Sequence, residues 1–224
     1  MPLAEPKAKT PTITAVHVGP RDLEGFLGLP ASPVGIALFA HGSGSSRLSP
    51  RNTYVAKALQ EAGLATLLYD LLLPAEAEDR RHVFEIPLLA ERLTSAVEWA
   101  ATNPHTAGLP VGLFGASTGA AAALVTAATS RRPIGAVVSR GGRPDLAGDL
   151  LGRVRAPTLL IVGGADPVVL QLNEAALAGL SCVKRLAVVP GATHLFEEPG
   201  TLEQVVALTR DWFLDHLCRR DPEQ

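Results

Sequence analysis

The sequence predicts an α/β protein in which one mostly parallel sheet of about eight strands is covered by helices on both faces. Short runs of β-branched and aliphatic residues alternate along the chain with longer segments of helical periodicity, which is the order of elements in such a sheet. Of the 224 residues, 47% are hydrophobic and 19% are charged, so the chain can bury a substantial core. We therefore expect a folded chain and not a disordered one.

One domain is expected over residues 12–218, between a loose tail at 1–11 and a short C-terminal tail at 219–224. Prolines, charges and little apolar content distinguish the first tail from the predicted domain. No linker rich in Pro, Gly and Ser divides that domain, because the Gly-Gly pairs at 141–142 and 163–164 directly follow predicted strands, where turns belong.

The strands are predicted from short apolar runs bounded by turn residues. No helical pattern separates the first two runs, so we expect them to form an antiparallel pair at the edge of the sheet. The predicted strands are 13–18, 23–29, 34–40, 65–69, 111–114, 135–139, 158–162 and 185–189.

The helices are predicted between the strands, where apolar residues recur at helical spacing. In 87–101, for example, Leu89, Leu93 and Val97 share one face and Glu98 lies on the opposite, solvent-facing side. This pattern is typical of a helix that packs on a sheet. The predicted helices are 52–62, 87–101, 118–129, 168–178 and 201–217.

Charge and composition argue against nucleic acid as a partner. The 20 basic and 22 acidic residues nearly balance, the arginines occur in scattered pairs, and only 4% of the residues are aromatic. Two cysteines are too few for a disulfide scaffold and cannot form a zinc site by themselves. The N-terminus lacks the pattern of a secretion signal, so we expect a cytoplasmic protein.

The segment 106–130 has no charged residue and is long enough to span a bilayer. Pro110, several glycines and several threonines interrupt it, and a turn signal divides it into a short and a longer run. We interpret it as a buried strand followed by a buried helix, and expect no membrane association.

Ser117 is the candidate nucleophile, because residues 115–119 match the pattern G-x-S-x-G between a predicted strand and a predicted helix. A nucleophile on a sharp strand-to-helix turn needs small neighbours two residues to each side, which Gly115 and Gly119 supply. The turn also directs the backbone N–H of Thr118 towards a developing oxyanion. The alternative is a serine that only caps a buried helix.

A serine nucleophile needs a base and an acid that orients the base. Asp166 follows the strand 158–162, and His194 follows the strand 185–189, so both lie at the edge of the sheet where open α/β folds hold their sites. Taken singly, Asp166 could be a helix cap and His194 an ordinary loop histidine. Their occurrence at successive strand ends, in the order Ser, Asp, His, predicts a catalytic triad.

The second oxyanion donor is expected in the loop that follows the strand 34–40. Its sequence is His-Gly-Ser-Gly-Ser over 41–45, and glycines allow the backbone to approach a substrate closely. We predict the amide of Ser43 as the donor, with Gly44 as the second choice. The alternative is a flexible Gly/Ser turn. His41 is predicted to shape this loop and to transfer no proton.

Together these motifs resemble the α/β-hydrolase family, and most closely its dienelactone hydrolase branch, over nearly all of residues 12–217. The resemblance implies an α/β-hydrolase fold with Ser117 as nucleophile, Asp166 as orienting acid and His194 as general base. It further implies that the amides of Ser43 and Thr118 form the oxyanion hole. Esters and lactones are the substrates of this branch, and neither a metal nor an organic cofactor is implied.

Two features depart from that branch. Dienelactone hydrolases have a Cys nucleophile assisted by a Glu in the loop after the third strand, whereas this chain has Ser117 and no acid between positions 41 and 46. They also carry an Arg four residues after the His for the substrate carboxylate, and that position is Glu198 here. A dienelactone that bears a carboxylate is therefore a doubtful substrate.

Arginines elsewhere could still contact an anionic substrate. Arg80 or Arg81 corresponds to a loop arginine of the resembling branch, and Arg140 directly follows a predicted strand. The more ordinary interpretation is that these side chains are solvated or ion-paired.

Only about 18 residues separate the strands 135–139 and 158–162, so a large helical lid does not fit there. We therefore expect an open, shallow pocket, lined in part by 71–85, and a serine carboxylesterase acting on small soluble esters or lactones. Thioester, dienelactone or organophosphate turnover on the same site, or a non-catalytic binding module, are the alternatives. The protein is expected to be a monomer or small homo-oligomer.

Overall fold

The computed structural model describes residues 10–218. The predicted C-terminal tail and residues 1–9 of the predicted N-terminal tail lie outside this range. Eight strands form one sheet within it, as the sequence predicts. They are β1 (Thr12–Val18), β2 (Leu23–Leu29), β3 (Ile36–Ala40), β4 (Ala65–Tyr69), β5 (Val111–Ala116), β6 (Ala136–Arg140), β7 (Thr158–Gly163) and β8 (Lys184–Val189).

The strand order is β1-β2-β4-β3-β5-β6-β7-β8. β1 pairs antiparallel with β2, and β2 pairs antiparallel with β4, so the predicted antiparallel pair does lie at one edge. The remaining pairs, from β4 through β3 to β8, are parallel. Their carboxyl ends therefore meet at one edge, which brings the loops after β3, β5, β7 and β8 together.

Helices cover both faces of the sheet. One apolar cluster joins the sheet to α4, α5 and α6, and a second joins the other face to α1 and α7. Successive side chains of β3 point to opposite faces of the sheet, so Leu38 belongs to the first cluster and Phe39 to the second. The helices are α1 (Pro50–Glu61), α2 (Pro74–Ala77), α3 (Arg80–Val83), α4 (Ile86–Thr102), α5 (Thr118–Thr129), α6 (Pro167–Gly179) and α7 (Thr201–Leu217).

The uncharged segment 106–130 folds as the sequence analysis predicts. It contains β5 followed by the buried helix α5, whose first turn begins at Thr118. Across residues 10–218, no helix has both the length and the apolar character that crossing a bilayer requires.

Three short helical segments were not predicted. α2 and α3 lie inside 71–85, which the sequence indicates only as a loop, and a 3₁₀-helical segment at Pro144–Arg153 connects β6 to β7. Each is too short to display helical periodicity, and Gly148 interrupts the third with a positive φ of 53°. This connection contains no lid, in agreement with its length.

We expect Phe213→Ala to lower the free energy of unfolding by about 3–5 kcal/mol. Phe213 is fully buried on α7, and a Cβ at Gly112 of β5 would lie only 2.7 Å from its ring. The matched control is Val168→Ala on α6, where the side chain is 68% exposed, and its effect should stay within about 0.5 kcal/mol. Urea unfolding measures both values, and equal losses would contradict this packing.

Candidate active site

Ser117 occupies a strained turn between β5 and α5. Its backbone has φ 51° and ψ −120°, outside the conformations that non-glycine residues ordinarily adopt. Two hydrogen bonds hold it there: the Ser117 N–H donates to the Arg140 carbonyl at 3.3 Å, and its own carbonyl accepts from the Arg143 N–H at 3.0 Å. Ser117 is half-buried.

The glycines that flank Ser117 allow close backbone contacts. A Cβ at Gly119 would overlap the carbonyl of Ala40 at the end of β3, and a Cβ at Gly115 would overlap the backbone of Ala120. Small residues are therefore required here for the reason inferred from the sequence: the turn brings β5, α5 and the end of β3 into contact.

Asp166 and His194 form a hydrogen-bonded pair beside this turn. His194 Nδ1 lies 2.8 Å from Asp166 Oδ2, although the two residues belong to different loops. Asp166 also caps α6, because its Oδ1 accepts from the Val169 N–H at 3.3 Å. Asp166 is therefore a helix cap that also contacts His194, and its role as the orienting acid stays a prediction. With Nδ1 directed at the carboxylate, Nε2 is the nitrogen left to exchange a proton with a substrate or nucleophile.

The end of β6 connects the histidine to the serine turn. Gly141 follows Arg140, whose carbonyl holds Ser117, and a Cβ at Gly141 would lie 3.6 Å from His194 Cε1 and 3.1 Å from the His194 carbonyl. The imidazole therefore packs against the same segment that fixes the serine. The assignment of Ser117, Asp166 and His194 to a catalytic triad stays a prediction.

The loop after β3 closes over Ser117 from another side. A Cβ at Gly42 would lie 2.9 Å from Ser117 Cβ, so a larger residue would displace the serine. The Ser45 N–H donates to the Gly42 carbonyl at 3.2 Å, which makes Ser43 and Gly44 the central residues of a turn, and Gly44 has φ 68°. The assignment of the Ser43 amide, or of Gly44, to an oxyanion hole stays a prediction.

His41 shapes this loop through both of its ring nitrogens. The Leu71 N–H donates to Nε2 at 3.1 Å, so Nδ1 must carry the proton that it shares with the Gly42 carbonyl at 3.0 Å. Burial lowers the pKa of His41 despite the opposing effects of that carbonyl and of Asp70. A neutral imidazole in this tautomer joins the loop after β3 to the loop after β4.

A cavity of about 300 Å³ opens beside this loop. The loop after β3 contributes a polar wall of glycines, serines and His41, and the segment 71–89 contributes an apolar wall. Of the two ionisable residues that line it, His41 is bonded as described, and Asp70 accepts from the Arg47 N–H at 2.7 Å and pairs with the Arg47 guanidinium. The lining residues are His41, Gly42, Ser43, Gly44, Ser45, Ser46, Asp70, Leu71, Leu72, Pro74, Ala77, Val83, Leu89 and Thr118.

The three arginines considered as substrate contacts do not line this cavity. The Arg81 side chain is 88% exposed and pairs with Asp79 at 2.6 Å, and the neighbouring Arg80 is also exposed. Arg140 is only 7% exposed, and its side chain points to the α1 side of the sheet, where it donates to Asn52 Oδ1 at 3.3 Å. None of these placements supports the suggested role, because Arg80 and Arg81 lie at the surface and Arg140 points into the core.

Sequence reasoning missed the charge pairing at the cavity. Arg47 bridges Asp70 and Glu24, which come from separate parts of the chain. No local pattern indicates this pairing, because it requires the ends of β2 and β4 to be neighbours. Among residues 10–218, no group of His, Cys, Asp and Glu side chains is arranged to hold a metal ion.

We expect His41→Gln to destabilise the protein at pH 7.5 by about 1–3 kcal/mol, because two hydrogen bonds are lost. The difference should shrink as pH falls below about 6.5. Below that pH, His41 of the unfolded wild type takes up a proton, whereas the folded state, with its lower His41 pKa, does not. The free energy of unfolding of the wild type therefore falls with pH, and that of the variant does not fall for this reason. Urea unfolding at pH 5.5 and 7.5 tests this, with exposed His105→Gln as the control. The same difference in unfolding free energy between wild type and variant at both pH values would contradict it.

Comparison with known proteins relates this site to a family. The family model described as the dienelactone hydrolase family matches residues 52–212. The crystal structure of a dienelactone hydrolase from Anabaena variabilis ATCC 29413 is 55% identical, with a TM-score of 0.89, and the match covers 93% of this chain and 99% of that one. Est1E from Butyrivibrio proteoclasticus, at 16% identity and a TM-score of 0.75 over 92% of this chain and 99% of that one, shares the fold.

A second group of relatives has a different name. Proteins from two strains of Mycobacterium tuberculosis, each named as a phosphoribosyl transferase, are 61% identical over 219 residues, which is 98% of this chain and 49% of theirs. The chain therefore spans about half the length of these relatives. From the family match, and from a structural relative of 55% identity that is covered almost completely, we conclude that the chain belongs to the dienelactone hydrolase family.

Proposed function

We propose that this protein is a serine carboxylesterase that hydrolyses small, uncharged esters or lactones through an acyl-enzyme on Ser117. The observation that carries the proposal is the 2.8 Å contact between His194 Nδ1 and Asp166, made beside the strained serine turn. Dienelactone hydrolase family membership supports hydrolysis as the reaction class.

In this mechanism, Ser117 Oγ attacks the acyl carbonyl while His194 Nε2 accepts the hydroxyl proton. Asp166 keeps the imidazole in the required tautomer and stabilises its positive charge. The amides of Ser43 and Thr118 are proposed to bind the oxyanion of the tetrahedral intermediate. His194 returns the proton to the leaving alcohol, and water then attacks the acyl-enzyme by the same route to release the acid and restore Ser117.

The cavity supports a small acyl group. Its volume of about 300 Å³ is at the lower end of the range for ligand sites. Ser43 and Thr118 are at its wall, so an acyl chain attached to Ser117 can extend from the proposed oxyanion hole towards Leu72 and Val83. An apolar wall favours aliphatic acyl chains, because their burial removes apolar surface from water.

The electrostatics of the cavity support an uncharged substrate. Arg47 already compensates the carboxylate of Asp70, and the arginines considered as substrate contacts do not line the cavity. A substrate carboxylate would lose its hydration here without gaining an ion pair. A site that binds a dienelactone carboxylate would need a cation for that carboxylate, and this cavity offers no unpaired cation among its lining residues.

The name of the mycobacterial relatives does not favour a transferase for this chain. The chain covers 49% of their length, whereas its match to the Anabaena hydrolase covers 99% of that structure. We infer that any phosphoribosyl transfer by those relatives belongs to the half of their sequence outside this match.

We expect a fluorophosphonate probe to add one phosphonyl group to the wild type, and the wild type to hydrolyse p-nitrophenyl acetate and butyrate. Ser117→Ala should abolish both, and Asp166→Asn should lower kcat by about 10⁴-fold, because it leaves the imidazole in the wrong tautomer. Intact-mass spectrometry and steady-state kinetics measure these outcomes.

The control is Ser130→Ala, at the opposite end of α5, which should retain labelling and turnover. An unlabelled and inactive wild type would reject the esterase and favour the binding module. Labelling that persists in Ser117→Ala would assign the nucleophile to another residue.

We expect kcat/KM for p-nitrophenyl butyrate to exceed that for 4-nitrophenyl hemisuccinate by at least about 10-fold, since the latter carries an acyl carboxylate of similar size that finds no cation. Ala77 is exposed and lines the cavity, so Ala77→Arg should lower this ratio of kcat/KM values by supplying a cation. Ala77→Met, which adds a neutral side chain of similar length, should leave the ratio unchanged. Equal use of both esters by the wild type would contradict the uncharged substrate class.

A further inference from the structure

Arg140, the last residue of β6, is a buried cation that the proposed reaction does not use. Its side chain is 7% exposed, and within residues 10–218 no carboxylate forms an ion pair with it. Its Nε is buried without an acceptor in that same part of the chain. Burial, with a smaller contribution from the like charge of Arg51, lowers the pKa of Arg140 to about 10.

This placement is costly for the folded state. A buried charge without an opposite charge loses hydration, and Arg51 repels it from the first turn of α1, whose positive end also faces this region. The carboxylate of Glu197 pairs with Arg51 at 3.2 Å and not with Arg140. An apolar side chain of similar volume would avoid these costs.

The contacts of Arg140 reach each of the three segments that form the candidate site. Its backbone carbonyl accepts the Ser117 N–H, a bond that does not depend on the side chain. Its guanidinium donates to Asn52, in the first turn of the helix that continues the loop after β3, and lies 6.0 Å from the centre of the Phe196 ring, two residues beyond His194. Phe196 is itself 2% exposed and has a positive φ of 56°.

We propose that the Arg140 side chain is a positioning group that holds the loop after β3 and the His194 loop in place relative to the end of β6, whose backbone bonds to the serine turn. The inference rests on the proposed function for its kinetic consequence, because the segments it joins carry the proposed nucleophile, oxyanion donor and base. Arg140 contacts no reacting atom. Its effect is to hold distances that acyl transfer depends on, where a displacement of about 1 Å can reduce the rate by about 100-fold.

A guanidinium suits this position better than an ammonium. Its planar group can donate to Asn52 while its central carbon lies over the Phe196 ring, within the range of a cation–π contact. An ammonium on a flexible stem provides the charge without this fixed geometry. The proposal therefore requires the shape of the arginine as well as its charge.

The test replaces the polar pair by an apolar one, in the double variant Arg140→Met with Asn52→Leu, so that no partner is left unpaired. We expect thermal stability equal to or above that of the wild type, together with kcat for p-nitrophenyl butyrate lower by about 10- to 100-fold and KM changed little. A residue that only supports the fold would give the opposite pattern, since activity would fall together with stability. Arg132→Met, which removes an exposed, paired arginine, is the matched control.

Hydrogen–deuterium exchange supplies a readout that does not depend on turnover. In the double variant, amides in 41–49 and 192–198 should exchange at least about 10-fold faster than in the wild type, and in Arg132→Met they should not. The single variant Arg140→Lys should restore less than half of the kcat that the double variant loses. An inactive wild type would reject the esterase, while the exchange result would still decide whether Arg140 couples these loops.

Three outcomes would overturn the proposal. The first is wild-type kcat in the double variant, and the second is unchanged exchange in both loops. The third is a double variant that unfolds or loses stability in proportion to its activity, because Arg140 would then be a structural anchor only.

Discussion

The close packing around Ser117 is the constraint on which the rest of the site depends. A serine with φ 51° is held between β5 and α5 because its N–H bonds to the last residue of β6 and its carbonyl to the segment that follows, and because glycines let three backbones touch. Strain of this kind persists only where the surroundings determine the conformation. The parallel sheet provides those surroundings, since the ends of β3, β5 and β6 are hydrogen-bonded neighbours.

The same sheet edge separates two electrostatic environments. On the α4 side, Arg47 neutralises the Asp70 carboxylate in the wall of the cavity beside the loop after β3, and the wall formed by 71–89 is apolar. On the α1 side, Arg140 is buried with Arg51 as its charged neighbour. One environment suits an uncharged acyl group. The other keeps a positive charge in the core, at a position where it joins the segments around the serine.

Much of the fold follows from local patterns. The strands Leu23–Leu29 and Ala65–Tyr69 and the helices Thr118–Thr129 and Thr201–Leu217 have the bounds expected from sequence, because each is a long or clearly bounded apolar run. Other elements differ by one or two residues at their ends, where hydrogen bonding to neighbours decides the bounds. The short helices α2 and α3 were missed because four residues cannot display a helical period.

The sequence by itself determined which residues stand at the strand ends: Ser117 between glycines, Asp166 before a helix and His194 after a proline-glycine turn. These are local signals, and each can be recognised without knowing what lies across the sheet. Only the tertiary structure decided the direction of each arginine. Arg140 points into the core and Arg81 to solvent, because the face that a side chain occupies depends on strand register and on helices distant in sequence.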